Sequence, residues 1–268
     1  MMLLEALSLP FMQRAILGGL LAAVAGSLFA PLIVQRRMAF LGSGLAHAAF
    51  GGVALGVLLG MEPLAVALPF TLLAGLLIVA IQHRTTLEPD TAIGMLFAVT
   101  MALGVLFLAL SDAYTRDAYS YLFGSVLAIG KGDLMLAGGT ALMALGMMRW
   151  WPAWAYATFD RDLARADRLP VHVQDYLLAT AMALLTVVSI KIAGVILASA
   201  FLVLPAAAAR LVSATFAQMT IFSVAFAIAG VLAGMLASYV FDLPSGPVIV
   251  LTQSLLFGVA LGVARLRG

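Results

Sequence analysis

The stretch FAQMTIFSVAFAIAGVLAGMLASYV, residues 216–240, decides the fold class because it contains no charged residue and no histidine. An α-helix needs roughly 17 to 25 apolar residues to cross the hydrocarbon core of a bilayer. The 268-residue chain is 64% hydrophobic and only 10% charged, whereas about a quarter of the residues in soluble domains carry charge. The composition therefore predicts an all-α, polytopic membrane protein.

Eight further apolar stretches can be marked, so we predict a single transmembrane domain over residues 1–268 that crosses the bilayer nine times. The stretch 193–209 contains Pro205 and many small residues, which also suit a re-entrant or broken helix. If it does not cross, the number of crossings is eight. The other seven run approximately over residues 15–34, 43–60, 64–82, 91–110, 133–150, 173–191 and 247–264.

The distribution of basic residues predicts the orientation of the chain. Arginine and lysine near the ends of spans favour the cytoplasmic side. With the N-terminus outside and nine crossings, ten basic residues fall inside and four fall outside. We therefore expect the N-terminus outside the cell and the C-terminus in the cytoplasm.

Small residues four positions apart predict where helices pack closely, because they let backbones approach each other in lipid. The pairs are Ala48 with Gly52, Gly52 with Gly56, and Gly230 with Gly234.

Residues 158–172, TFDRDLARADRLPVH, form the one sizeable cytoplasmic loop in this topology, and they are rich in charge. Asp160 is a suitable N-cap, and Pro170 a suitable stop signal. The segment is therefore predicted to form a short amphipathic surface helix.

Several functions are excluded by residue content. The chain has no cysteine, which rules out disulfides and thiolate metal sites, and its net charge of +2 gives no footprint for nucleic acid. The segment GSVLAIGKGD, residues 124–133, differs from a phosphate-binding loop in two ways. Five residues instead of four separate its first two glycines, and Gly132 follows the lysine where the loop needs Ser or Thr. Any energy input must come from a partner or an ion gradient.

His47, in GSGLAHAAFGGVALG (42–56), is the one ionisable side chain that lies clearly inside a predicted span. Ionisable residues in membrane spans usually serve function, and imidazole is a common ligand for zinc and other transition metals. Ser43 lies four residues earlier on the same helical face. The pair suggests a metal or proton site, but a histidine hydrogen-bonded to a neighbouring helix, or an intramembrane serine hydrolase with Ser43 as nucleophile, are alternatives.

The remaining polar residues receive structural interpretations. His83 and His172 are expected to be solvated histidines in cytoplasmic loops, and Asp90 is expected to be a helix N-cap.

Six segments in this order resemble one family, the permease subunits of bacterial ATP-binding-cassette (ABC) importers of zinc, manganese and iron. The likeness covers nearly the whole chain and is strongest to the zinc permeases. The segments are RRMAFLGSGLAHAAFGGVALG (36–56), DTAIGMLFA (90–98), YLFGSVLAI (121–129), FDRDLARADRLPV (159–171), KIAGVILASAFLVLPAAAARLV (191–212) and DLPSGPVIVL (242–251).

The resemblance implies a non-catalytic permease subunit in the bacterial cytoplasmic membrane. Its implied partners are a second permease copy, two cytoplasmic ATPase subunits and an extracytoplasmic metal-binding protein. No cofactor is held permanently, Zn²⁺ or Mn²⁺ is the cargo, and ATP binds only to the partner subunits. Residues 159–170 correspond to a coupling helix that contacts the ATPase through Asp160, Arg161, Asp162, Leu163, Arg165, Asp167 and Leu169.

One position departs from the family pattern. The relatives carry an aspartate four residues before the histidine, where this chain has Ser43. A site built on imidazole without the carboxylate favours zinc over manganese. A manganese or iron importer, and a gradient-driven secondary transporter, are the alternatives to a zinc importer.

Overall fold

This computed structural model describes residues 9–111 and 129–267, which form helices joined by short connections and contain no strand. Most of the 121–129 segment and Arg116 lie outside these ranges. A 3₁₀ turn at Met148–Trp150 joins the fifth and sixth helices. The helices are α1 Pro10–Gln35, α2 Leu41–Leu58, α3 Pro63–Arg84, α4 Pro89–Leu110, α5 Lys131–Met147, α6 Trp151–Phe159, α7 Arg161–Ala166, α8 Val171–Phe201, α9 Leu204–Val212, α10 Phe216–Phe241 and α11 Ser245–Arg267.

Local sequence signals set the helix ends. Prolines occupy the first helical position of α1, α3 and α4, where no backbone N–H is needed for the helix. The Glu62 carboxylate caps α3 by accepting a hydrogen bond from the Ala65 N–H at 2.6 Å. The Thr215 hydroxyl does the same for α10 with the Gln218 N–H at 3.2 Å.

Two ion pairs mark opposite ends of the bundle. Lys191 Nζ lies 2.9 Å from Asp133 Oδ1, and Arg36 Nη1 lies 2.7 Å from Asp175 Oδ1. Asp175 and Lys191 both belong to α8, where a rise of 1.5 Å per residue separates them by about 24 Å along the axis. We call these the Lys191 end and the Arg36 end.

The segment Gly194–Val212 crosses between these ends, as predicted for the stretch 193–209. Along α1, a Cβ placed on Gly18 would lie 3.5 Å from Ile192, and one placed on Gly26 would lie 3.2 Å from Phe201. The segment therefore runs beside α1 from the Lys191 end towards the Arg36 end. The re-entrant alternative is wrong.

The same segment is nevertheless a broken helix. At Gly194 the backbone has φ 79° and ψ 168°, which sharply bends α8 and suits glycine. A second break falls at Leu202 and Val203, just before Pro205 opens α9. The broken-helix description is therefore confirmed for a segment that does cross.

Helix α5 also runs between the two ends of the bundle, although at 17 residues it is shorter than the eight segments long enough to span a membrane. Its Ala137 packs in a cluster with Ile192 at the Lys191 end, and its Ala144 packs in a cluster with Trp154 near the Arg36 end. Eight other segments are long and apolar enough to span a membrane. The all-α fold is confirmed. Within the described residues, eight segments meet the length and apolarity of a membrane span, and the shorter α5 runs between the same two ends of the bundle.

The predicted small-residue contacts are confirmed. A Cβ on Gly52 would lie 2.6 Å from the Ala67 Cα, and a Cβ on Gly234 would lie 2.6 Å from the Ile249 Cα. Only glycine fits at such distances, because the clashing atoms belong to the backbone. These positions hold α2 against α3 and α10 against α11.

Gly52→Ala is expected to destabilise the bundle by about 1–3 kcal/mol, because the added methyl forces α2 away from α3. Thermal unfolding of the purified protein in detergent measures the effect. Gly139→Ala is the matched control, since no atom lies within 4 Å of a Cβ there. Equal melting temperatures for the two variants would contradict the assigned packing.

Candidate functional site

Helix α2 presents one short polar strip in an otherwise buried surface. From Leu41 to Ala54 every residue is buried except Ser43 and His47, which are partly exposed. Residues four apart share a helical face, so the two side chains lie one above the other. The structure thus brings together the two residues that the sequence singled out.

The ring of His47 is oriented by its own helix. Its Nδ1 lies 2.8 Å from the backbone carbonyl oxygen of Ser43. A carbonyl can only accept, so Nδ1 carries the proton and donates it, and the lone pair of the neutral ring resides on Nε2. Phe97 of α4 packs edge-on against the ring with 4.5 Å between centroids. Histidine ligands of metals are commonly fixed in this way through the other ring nitrogen.

The strip provides few ligands within a single chain. No group of three or more histidine, cysteine or carboxylate side chains able to hold a metal occurs in the described ranges. One imidazole and one hydroxyl suit brief contact with a passing ion better than permanent binding.

The geometry does not support the serine hydrolase alternative. The hydrogen bond of the His47 ring goes to the Ser43 carbonyl and not to its hydroxyl, whereas a nucleophile and its base must be paired directly.

Asp90 has a role other than the one predicted. The N-cap of α4 is Glu88, and Asp90 lies in the first turn of the helix. Its Oδ1 accepts a hydrogen bond at 3.3 Å from the backbone N–H of Phe40, the residue that precedes α2. The N-cap prediction for α4 is therefore wrong, and Asp90 instead links α4 to the start of α2.

The predicted surface helix is present as α7, and it is shorter than residues 159–170. Asp160 is its N-cap, as predicted, and accepts a hydrogen bond from the Leu163 N–H at 2.9 Å. The helix ends at Ala166, and Arg168 takes a left-handed conformation with φ 60°. We call residues 159–170 the coupling segment.

The coupling segment combines exposed apolar and charged side chains. Phe159 is 62% exposed and Leu163 49% exposed, while Ala164 packs inward against Ala157 and Val171. The other α7 side chains are exposed. Phe159 and Leu163 thus leave apolar surface exposed among charged side chains at the Arg36 end.

Tyr156 fixes the end of the coupling segment. Its hydroxyl donates a hydrogen bond to Asp167 Oδ2 at 2.5 Å. This bond to the carboxylate, together with its negative charge, raises the pKa of Tyr156 to about 12. The tyrosine therefore stays protonated, and the contact persists, across the physiological pH range.

A group of ionisable residues around a buried carboxylate lies beside the coupling segment. Asp175, only 8% exposed, pairs with Arg36, with Arg161 and, at 3.2 Å, with His83 Nε2. These four residues, the Asp175 cluster, come from the end of α1, the end of α3, the start of α7 and the first turns of α8. Burial lowers the pKa of the Arg36 guanidinium, and the Asp175 carboxylate opposes this effect.

Family comparison identifies the chain. A model of the ABC 3 transport family matches residues 8–264. The chain belongs to the ABC 3 transport family. Membership confirms the resemblance to permeases of metal-ion ABC importers. Together with the eight apolar helices, it identifies this ABC 3 family member as a multi-pass protein of the bacterial cytoplasmic membrane.

Relatives in the ABC 3 family differ in the metal that their names give. The manganese transport system membrane protein MntC of Listeria monocytogenes is 29% identical over 96% of this chain and 92% of its own length. The high-affinity zinc uptake system membrane protein ZnuB of Haemophilus influenzae is 27% identical over 92% of this chain and 95% of its own length. Family membership alone therefore leaves both metals open.

A solved structure matches the whole bundle. PsaBC from Streptococcus pneumoniae in complex with Fab aligns with a TM-score of 0.84 at 27% identity, covering 99% of this chain and 98% of that chain. This agreement confirms the helical architecture of the ABC 3 family member.

The sequence did not reveal the Asp175 cluster. His83 was expected to be a solvated loop residue, but it lies in the last turn of α3, and its side chain is only 12% exposed; that prediction is wrong. His172 is exposed, as expected, but lies in the first turn of α8. Asp175 falls inside the predicted span 173–191, so an ionisable residue near a span end was a signal that could have found it.

Proposed function

We propose that this chain is the permease subunit of an ATP-driven importer of divalent transition-metal ions, with zinc as the preferred cargo. The observation that carries this proposal is the orientation of His47. Its Nδ1–H is engaged with the Ser43 carbonyl, so the Nε2 lone pair is left for an ion on the one partly exposed polar strip of α2. The membrane chain itself is non-catalytic and hydrolyses no ATP.

The Arg36 end is placed in the cytoplasm by this proposal. Most of the basic residues, including those of the coupling segment, cluster at that end. Basic residues at the ends of spans favour the cytoplasmic side. The N-terminus then lies outside and the C-terminus inside.

The coupling segment seats in a groove of a cytoplasmic ATPase subunit. Its exposed Leu163 is flanked by charged side chains, which suits an interface with an apolar centre and a polar rim. Two ATPase subunits, a second copy of the permease and an extracytoplasmic metal-binding protein complete the importer.

The second permease copy supplies what one chain lacks. A single protomer offers one imidazole and no carboxylate on the strip, and no three-ligand group exists in its described residues. Two copies facing each other across their α2 strips bring two His47 rings to one path. ATP binding closes the ATPases and moves the coupling segments, and the ion passes from the outer to the inner side.

Ser43 is the basis for preferring zinc. The hydroxyl is a neutral and weak ligand, so imidazole dominates the strip, and imidazole suits zinc better than manganese. A carboxylate at this position would add a hard oxygen ligand and a full negative charge near the ion.

Competition between radioactive zinc and manganese in proteoliposomes containing the complete importer tests the proposal. We expect ATP-dependent uptake that favours zinc, and a shift of about tenfold towards manganese in Ser43→Asp, because a carboxylate near the ion contributes one to several kcal/mol. Ser43→Asn is the control for charge, because the asparagine side chain has nearly the shape of aspartate but is neutral. Preference for manganese in the unaltered chain would refute the zinc assignment, and gradient-driven uptake without ATP would refute the importer class.

A further inference from the structure

We propose that Asp175 is the positioning residue through which movement of the coupling segment reaches helices α1 and α3, an inference that rests on the proposed function. The Asp175 carboxylate contacts side chains from three other elements, α1, α3 and α7. Oδ2 pairs with Arg161, the first residue of α7, and with His83 at the end of α3. Oδ1 pairs with Arg36, directly after α1.

Few other contacts join the coupling segment to the spans. Its Phe159 packs edge-on against Phe216 of α10, with 5.3 Å between the ring centroids. Ala164 makes its apolar contact with Ala157 of α6 and Val171 at the start of α8. Arg165 pairs within α7, with Asp162. In the part of the chain that the structure describes, Arg161 is the α7 side chain that forms an ion pair outside its own helix. A shift of α7 therefore reaches α1 and α3 through Asp175.

Arg36 is held too firmly to absorb such a shift by changing rotamer. Its Nε donates to Thr158 Oγ1 at 2.8 Å, and its Nη2 donates to the Trp154 carbonyl at 3.4 Å. Trp154 is fully buried, and its Nε1–H donates to the Gln174 carbonyl at 3.1 Å. A planar guanidinium that donates a hydrogen bond from each of its three nitrogens transmits displacement as a rigid unit.

The charges of the cluster decide which variants are informative. Two guanidinium groups share one carboxylate, so removing either arginine leaves a balanced ion pair. Asp175→Asn leaves two arginines without a counter-charge, one of them buried, and is expected to prevent folding. The arginine variants instead break one link at a time: Arg36→Gln separates α1 from Asp175, and Arg161→Gln separates α7 from it.

The test uses the complete importer in proteoliposomes and measures metal uptake per ATP hydrolysed. In Arg36→Gln and Arg161→Gln, ATP hydrolysis continues but uptake per ATP falls at least about fivefold, the scale of a typical coupling between sites. Arg161→Lys restores the ratio. Arg37→Gln is the matched control, because Arg37 is exposed and adjacent to Arg36 but pairs with no described residue.

A second readout needs no transported metal. The chain has no cysteine, so Ser43→Cys reports the opening of the α2 strip by its alkylation rate with and without ATP. The ATP-dependent change is expected in the Arg37→Gln background and lost in the Arg36→Gln and Arg161→Gln backgrounds.

The inference is overturned if the arginine variants keep the normal ratio, or if uptake and hydrolysis fall in proportion, as a merely structural role requires. If the unaltered complex imports neither metal, the proposed function fails, while the alkylation rates still decide the role of Asp175.

Discussion

Replacing His47 with asparagine is expected to reduce metal uptake by at least about tenfold. Mutation of residues that only orient a metal ligand already lowers metal affinity or activity by about 10- to 100-fold. The asparagine amide can still donate to the Ser43 carbonyl that now accepts from Nδ1. It has no atom at the position of Nε2. The variant therefore removes the ligand atom while preserving the local contact of the helix.

The measurement is uptake of radioactive zinc by reconstituted importer, with retention of the ATPase confirming that the complex is assembled. Arg37→Gln is the control, because it changes an exposed polar side chain that lies outside the α2 strip and pairs with no described residue. Normal uptake in His47→Asn would reduce His47 to a residue that packs against Phe97.

Replacing Leu163 with aspartate is expected to weaken retention of the ATPase by about 10- to 100-fold. Burying a leucine side chain contributes about 1.5–3 kcal/mol, and each 1.4 kcal/mol corresponds to a tenfold change in affinity. Leu163 is the half-exposed apolar residue of α7, so the loss acts on docking and leaves the fold of the permease intact.

Co-purification of the ATPase with tagged permease measures this loss. Leu87→Asp is the matched control, since Leu87 is 41% exposed at the same end of the bundle but lies in the connection between α3 and α4. Equal retention in both variants would show that the ATPase docks elsewhere.

The features that sequence predicted depend on local signals. Apolar runs fixed the spans, because the length that crosses a bilayer is a property of each segment alone. Asp160 was recognised as a cap because its partner, the Leu163 N–H, lies three residues away. His47 stood out because an ionisable group in an apolar run is costly wherever the helix packs.

The Asp175 cluster escaped prediction because its members are distant in sequence. Arg36 and Arg37 are identical neighbours, and composition cannot tell which one is buried. The backbone decides: Arg37 takes a left-handed conformation with φ 57° and is exposed, while Arg36 turns towards Asp175. Such pairing follows only from the packing of α1, α7 and α8.

The burial pattern of α2 also bears on how importers of this kind diverge. Between Leu41 and Ala54, only Ser43 and His47 are not enclosed by neighbouring helices. A substitution at Ser43 can therefore change the side chains of this strip without repacking the bundle. In the proposed function, in which this strip meets the ion, a single substitution during evolution is then enough to change the choice of metal while the fold is inherited unaltered.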